Sequence, residues 1–299
     1  MIKTAIIGFG NVGKCAYEAI QNAPDMTLSC IVKRQSAADI PPHLNDIRVT
    51  DIKDIRANGD VDAAVICLPS RMCPDTAESL MNMGIFTVDS YDIHKSILSE
   101  KLRLDTVAQK NNVSGVIAAG WDPGTDSVLR ALMEAMTPRG ITYTNFGPGM
   151  SMGHSVAAKA AEGVENALSM TMPAGAGVHR RIVYIQLKPG ADFAAAAAAI
   201  KNDPYFINDD TNVIQVEDID TLIDVGSGSH IIRKGVSGST HNQIMEFSMK
   251  INNPALTAQV LVSAARAAVK QPPGCYTLIE IPVIDMLPGD RNDLISRLV

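Results

Sequence analysis

Gly8, Gly10 and Gly13 stand in the spacing G-x-G-x-x-G, directly behind the apolar run Thr4-Ala5-Ile6-Ile7. Between a strand and a helix, that spacing cradles a diphosphate. The first glycine permits a tight turn, the second lets backbone approach the phosphates, and the third lets the helix sit against the strand. Residues 12–23 have helical spacing. The N–H groups of Asn11, Val12 and Gly13 would then meet an anion at the positive end of a helix dipole. The predicted chemistry is dinucleotide binding.

A second strand, at 27–32, ends in Lys33-Arg34-Gln35-Ser36. Sites for NAD usually carry Asp or Glu at this point, to accept from the ribose 2′-OH. Two cations and a hydroxyl suit a 2′-phosphate instead. Charge-assisted hydrogen bonds contribute about 1.5–3 kcal/mol each, so Lys33 and Arg34 predict NADP.

A further set of residues can handle an amino acid. Trp121-Asp122-Pro123-Gly124 follows an apolar run, and Asp122 could hold a substrate ammonium. Asp before Pro is also a standard helix cap, and the two roles are compatible. Asp89 and Asp92 flank Ser90-Tyr91, and one of them could be an ordinary turn residue. Residues 147–155, with Met152, Gly153 and His154, form a glycine-rich loop whose N–H groups could approach an anion. Thr171 lies near a strand edge, as do Arg180 and Arg181. Adjacent arginines on a strand point to opposite faces, so only one can clamp a carboxylate through bidentate bonds. Thr240-His241-Asn242 and Asn252-Asn253-Pro254 add imidazole and amide groups. Together these predict a polar pocket for a zwitterion.

The elements that must position these residues follow from periodicity. Residues 61–68 form a continuous apolar run, as in a strand buried on both faces. Helical segments at 74–83 and 96–111 alternate with strands at 85–89 and 113–119. The fold class predicted is α/β, a Rossmann-type doubly wound parallel sheet over 1–121. Ligands sit at the carboxyl ends of such strands, which places Leu68, Pro69, Ser70, Ser90 and Tyr91 beside the cofactor. From about 140, strands predominate at 141–146, 167–172, 181–188, 212–216, 230–236 and 244–251. The one helix expected there, at 191–202, is capped by Asp192. This second, α+β domain of mostly antiparallel sheet spans 122–254. The helix at 255–270, with 271–299, is expected to pack back on the first domain or into a subunit interface.

The chain has 299 residues, 46% hydrophobic, with net charge −6. It is long enough for two cores and lacks a basic nucleic-acid footprint. Apolar runs are too short for a membrane span. Five cysteines without C-x-x-C, and a strand rather than a secretory signal at the start, predict a cytoplasmic protein. Scattered histidines predict no metal.

Taken together, GFGNVG, TVDSYDIH at 87–94, AAGWDPGTDS at 118–127, FGPGMSMGHS at 146–155, HRR at 179–181, THNQ at 240–243 and NNPALTA at 252–258 resemble the meso-diaminopimelate dehydrogenases. The resemblance covers nearly the whole chain. It implies NADP-dependent oxidative deamination of the D-centre of meso-2,6-diaminopimelate, in a cytoplasmic homodimer whose second domain binds substrate and dimerises. Asp122 and Asp92 would take carboxylate roles around the substrate ammonium groups. Trp121, Met152, Gly153, His154 and Asn253 would surround the reacting D-centre. Phe146, Thr171 and Arg181 would anchor the distal L-centre. One departure is Ser227, where the family pattern has a histidine, which implies looser distal recognition. The competing readings are another two-domain NADP oxidoreductase, such as a dihydrodipicolinate reductase or homoserine dehydrogenase, and a non-catalytic NADP sensor.

Overall fold

The structure is a computed structural model. It describes residues 1–33, 40–222 and 226–299, with Asn58 described by its backbone alone. The chain divides into two compact units: Met1–Ala131 with Pro254–Val299, and Leu132–Asn253.

In the first unit, β1 (Ile2–Ile7), α1 (Asn11–Gln21), β2 (Met26–Val32), β3 (Arg48–Val49), β4 (Ala63–Ile66), α2 (Cys73–Met81), β5 (Phe86–Asp89), α3 (Ile97–Lys110) and β6 (Ser114–Val116) follow in order. The chain leaves this unit within α4 (Thr125–Met136). Among the elements after its return is a final strand, here β14 (Gly274–Tyr276), which makes the sheet seven-stranded. Its order is β14-β6-β5-β4-β1-β2-β3, and every pair is parallel. The direction of winding reverses between β1 and β4, the switch point of a doubly wound sheet.

Side chains alternate across a strand, and both faces here are dry. Ile6, Val65 and Val88 join one core with Ala16 and Ile20 of α1; Ile7 and Ile66 join the other with Leu80 of α2 and Leu104 of α3. This double burial explains the unbroken apolar run around β4. Each fully buried large aliphatic contributes about 1.5–3 kcal/mol.

The second unit contains β7 (Arg139–Phe146), β8 (Gly149–Met150), α5 (Met152–Lys159), β9 (Val164–Gly175), β10 (Val178–Leu187), α6 (Phe193–Asn202), β11 (Asp210–Gln215), β12 (Gly226–Ser237) and β13 (Thr240–Asn252). One sheet has the order β11-β10-β9-β8 and the other β13-β12-β7. All pairs are antiparallel except β10 with β11, which α6 connects. Asp192 caps α6 by accepting from the Ala195 N–H at 2.7 Å, as predicted. Ala196 and Ile200, four apart, are buried against the first of these sheets.

α7 (Asn253–Ala268) and α8 (Arg291–Leu298) complete the chain. Ala258, Leu261 and Ala265 of α7 enter the core that holds Ile6, so of the two expected environments this helix takes the first. Its buried Arg266 forms two hydrogen bonds to Asp25, at 2.5 and 2.7 Å.

Three expectations are corrected. The stretch 147–155 is not one loop: Gly149–Met150 is a strand, and Met152 begins α5. Glycine is tolerated in a first turn, and the following Val156-Ala157-Ala158 continue the helix, with Ala158 fully buried. Asp122 is not the cap of a helix begun by Pro123, because α4 starts at Thr125. The Asp122–Pro123 bond is cis. Lastly, Thr240-His241-Asn242 do not join Asn252. They lie at the opposite end of β13, twelve strand steps or roughly 40 Å away.

Candidate functional site

In the first unit the strand ends are level. Ile7 pairs with Val32 and Ile66, and Ile66 pairs with Asp89. One edge of the sheet therefore carries the 8–13 turn, Lys33, the 67–72 turn and the 90–92 turn. A Cβ on Gly13 would stand 2.2 Å from the Gly8 carbonyl oxygen, so only glycine lets α1 start this close to β1. A Cβ on Gly10 would meet nothing within 4 Å. Gly10 is the N-cap of α1 and supplies no side-chain cap. The N–H groups of Asn11, Val12 and Gly13 are thus arranged to receive a phosphate, and the cradle fits a dinucleotide. Leu68 packs beside Gly8, and the Pro69 carbonyl accepts from Met72 N–H at 2.8 Å. Lys33 donates its backbone N–H to Val49 at 3.0 Å, which starts its side chain at this edge. Arg34 lies outside the described residues.

The two carboxylates around Ser90-Tyr91 divide their work. Asp89 is buried; its Oδ1 accepts from the backbone N–H of Tyr91 at 2.9 Å and of Ala118 at 3.4 Å. Burial pushes its carboxyl up to about 6, against the pull of those two bonds. It is the turn residue. Asp92 is exposed, and its Oδ1 accepts from Ser70 Oγ at 2.6 Å, which ties the 67–72 turn to the 90–92 turn. Next along the edge, the Ala119 N–H donates to the Asp89 carbonyl at 2.7 Å. Trp121 and Asp122 follow. The Trp121 carbonyl accepts from the Asp126 N–H at 2.9 Å, closing the loop onto α4. The Asp122 side chain is only 8% exposed, and its Oδ1 accepts from Arg130 Nη2 at 2.5 Å.

In the second unit, Gly149, Thr171 and Arg181 stand in one row across β8, β9 and β10. Arg180 faces the other way, 60% exposed, with Asp210 at 3.8 Å. Arg181 is 15% exposed. Its Nη1 donates to Thr171 Oγ1 and its Nε to Asp209 Oδ2, the latter at 2.7 Å. Two residues back on the same face, His179 Nε2 accepts from the Phe146 N–H at 2.7 Å. That bond requires a neutral ring. Burial holds His179 below its ordinary value, and the Arg181 cation lowers it further. Phe146, Thr171 and Arg181 are thus brought together, with His179 between them.

The family resemblance puts His154 among the residues around the reacting centre. Here its Nε2 lies 3.5 Å from Asp209 Oδ2, the oxygen that holds Arg181. Its Nδ1 is 2.9 Å from Ser151 Oγ. Met152 and Gly153 form the first turn of α5 beside it. Asn253 opens α7. Ser227 pairs with Ile251, and its Cα would lie 2.9 Å from a Cβ on Gly149, which puts it next to the Thr171 row. Asp224 and Val225 lie outside the described residues. His230 sits mid-strand with Glu246 at 3.3 Å, and His241 lies at the far hairpin end.

Sequence reasoning missed Asp209. Its contact with Arg181 spans 28 residues, and nothing local marks it. His179 was visible only as part of a motif, although its position two before Arg181 already put both on one face. Among the described residues, no three His, Cys, Asp or Glu gather as a metal site would require. Nor is any helix long and apolar enough to cross a membrane.

The parallel sheet with its glycine turn is that of a Rossmann-type dinucleotide-binding protein. Residues 2–90 match the model of the oxidoreductase family with an NAD-binding Rossmann fold, and residues 120–180 match that of the diaminopimelic acid dehydrogenase C-terminal domain. The chain is 54% identical to a meso-diaminopimelate D-dehydrogenase of Bacteroides fragilis, over 100% of this chain and 99% of that one. Among solved structures, the DAP dehydrogenase of C. glutamicum in complex with DAP superposes with TM-score 0.90 at 28% identity, covering 100% and 99% of the two chains. An engineered D-amino acid dehydrogenase bound to NADP+ superposes with TM-score 0.88 at 27% identity, again over 100% and 99%. The chain belongs to the meso-diaminopimelate D-dehydrogenase family.

Proposed function

We propose that this protein catalyses reversible oxidative deamination of the D-centre of meso-2,6-diaminopimelate, giving L-2-amino-6-oxopimelate and ammonium with reduction of NADP+. The observation that carries this reading is full-length identity of 54% to a relative named for that substrate. The site chemistry supports it. Asp122 Oδ1 is engaged by Arg130, and Oδ2 is left to accept from a substrate ammonium and take its proton. Asp92 is the second candidate. Bound NADP+ would supply the hydride acceptor; the protein supplies placement. Once the α-carbon has given up hydride, water adds to the resulting imine and ammonia leaves. Thr171 and Arg181 hold the distal carboxylate, which fixes which centre reacts. Trp121, Met152, Gly153, His154 and Asn253 shape the surroundings of the D-centre, and Phe146 supports the distal end.

The test is direct. Protein, NADP+ and meso-diaminopimelate at alkaline pH should give equal amounts of NADPH, read at 340 nm, and ammonia. NADPH binding without turnover would favour a sensor, and turnover without ammonia another oxidoreductase. A dihydrodipicolinate reductase at 13% identity shares only the fold.

Preference for NADP rests on Lys33 and Arg34, with Gly8, Gly10, Asn11, Val12, Gly13, Leu68, Pro69, Ser70, Ser90 and Tyr91 around the rest of the cofactor. Lys33→Ala should lower kcat/KM for NADP+ at least tenfold, the equivalent of about 1.5 kcal/mol for one charge-assisted bond, and change NAD+ less than twofold. Equal losses on both cofactors would refute the assignment.

A homodimer is supported by β13, an edge strand on which the apolar residues Met245, Phe247, Met249 and Ile251 alternate and stay half-buried. A second copy would cover such a row. Sedimentation should give twice the 31.9 kDa chain mass; a single-chain mass would exclude it. The five cysteines are free, and burial pushes Cys30 up to about 11 and Cys275 up to about 12, which keeps these thiols unreactive. The unpaired state of all five, rather than their reactivity, is what suits a reducing, cytoplasmic setting.

A further inference from the structure

Arginine has a long side chain, and a clamp built on it must first be held still. Arg181 is held by two different nitrogens: Nη1 by Thr171 Oγ1, and Nε by Asp209 Oδ2 at 2.7 Å. Two bonds to two nitrogens fix the plane of a guanidinium as well as its position. Because Asp209 occupies Nε, the side-on fork is closed to any other carboxylate. What remains is the end of the group, and Nη2 has no hydrogen-bond partner among the described residues. The Thr171 hydroxyl already accepts from Nη1, so its own proton is free to donate outward.

Asp209 is itself anchored. Its N–H donates to the Phe206 carbonyl at 2.8 Å, and the Phe206 ring is 1% exposed in the core of the second unit. Thr211 Oγ1 donates to the Asp209 carbonyl at 3.3 Å. The same carboxylate oxygen faces His154 Nε2 at 3.5 Å, and the His154 ring lies edge-on to Phe206 at 5.1 Å between centroids. A carboxylate 27% exposed, on a backbone tied to the carbonyl of the buried Phe206 and facing two side chains, is a support for what it bridges.

We propose that Asp209 is a positioning residue for the distal end of the substrate: it fixes the Arg181 guanidinium so that Nη2 and the Thr171 hydroxyl present a preorganised donor pair to a carboxylate. The inference rests on the reading of Arg181 as the distal anchor. A residue that merely cancelled the charge of Arg181 would act in the opposite direction, because its removal would strengthen attraction for an anion. Orientation and charge are therefore separable. Asp209→Asn keeps an acceptor for Nε and loses the charge; Asp209→Ala loses both.

Steady-state kinetics on the full protein with saturating NADP+ test this. Asp209→Ala should raise KM for meso-diaminopimelate about tenfold, with kcat and KM for NADP+ within twofold of wild type. The inhibition constant of D-lysine, which lacks the distal carboxylate, should also stay within twofold. Asp209→Asn should restore KM to within about threefold. Should the alanine variant fail to fold, Asp209→Ser, too short to reach Nε, carries the same comparison. A KM that is unchanged or lower in the alanine variant overturns the proposal, as does a parallel loss in every parameter. Arg181→Ala separates the two levels. If it raises KM and Asp209→Ala does not, positioning by Asp209 falls alone. If Arg181→Ala leaves KM unchanged, the anchoring reading falls and the positioning role with it.

Discussion

Asp122→Asn is expected to lower kcat for meso-diaminopimelate by about 10²–10⁴-fold, the range for loss of a positioned acid–base group. The expectation comes from the geometry of one carboxylate. Arg130 Nη2 donates to Oδ1 at 2.5 Å, and the side chain is 8% exposed. Asparagine has the same shape and still offers an oxygen to Arg130, so the loop from Gly120 to Thr125 should hold and KM for NADP+ should change little. What asparagine cannot do is take a proton from the substrate ammonium. The loss should therefore fall on kcat, with thermal stability close to that of the wild type. A variant with near-normal kcat from pH 7 to 10 would exclude Asp122 as the proton acceptor. The role would then pass to Asp92, which is exposed and accepts from Ser70 Oγ.

The second large effect belongs to Arg181. Arg181→Ala should raise KM for meso-diaminopimelate by about 10–100-fold, since hydrogen bonds to a charged group contribute about 1.5–3 kcal/mol each. D-Lysine has no distal carboxylate to lose. Its kcat/KM as a substrate, or its inhibition constant as a competitor, should change less than threefold. Equal losses on both compounds would mean that Arg181 supports the unit rather than the substrate. Arg180→Ala is the matching control. Its side chain is 60% exposed on the opposite face of β10, and its partner Asp210 is exposed as well, so substrate binding should be unaffected.

Much of this was legible in the residues themselves. The turn from β1 into α1 was, because three glycines at fixed spacing behind an apolar run have one economical conformation. The cap at Asp192 was, because its bond to Ala195 spans three residues. Which of Arg180 and Arg181 turns inward was half legible. Period-two alternation requires that they differ, but only the pairing of Arg181 with Thr171 across β9 and β10 decides which one is shielded. The choice between Asp89 and Asp92 had the same character: both flank a turn, and burial separates them.

Other features had no local signature. Whether 147–155 stayed a loop depended on Ala158 finding a buried place on a sheet built from residues that follow it. The remoteness of Thr240–Asn242 from Asn252 depended on the hairpin register of β12 with β13.

Local sequence signals specify the parallel nucleotide-type sheet, the glycine turn from β1 into α1 and which residues carry acidic, basic and amide side chains. Those follow from hydrophobic period, glycine spacing and residue chemistry, which act over a few neighbouring residues. That Asp209, 28 residues from Arg181, holds its guanidinium, and that His154 faces the same oxygen, comes from long-range packing alone. A strand pairing or a packed loop brings distant residues together at the cost of loop closure, and that cost is met by the whole core rather than by the residues that touch.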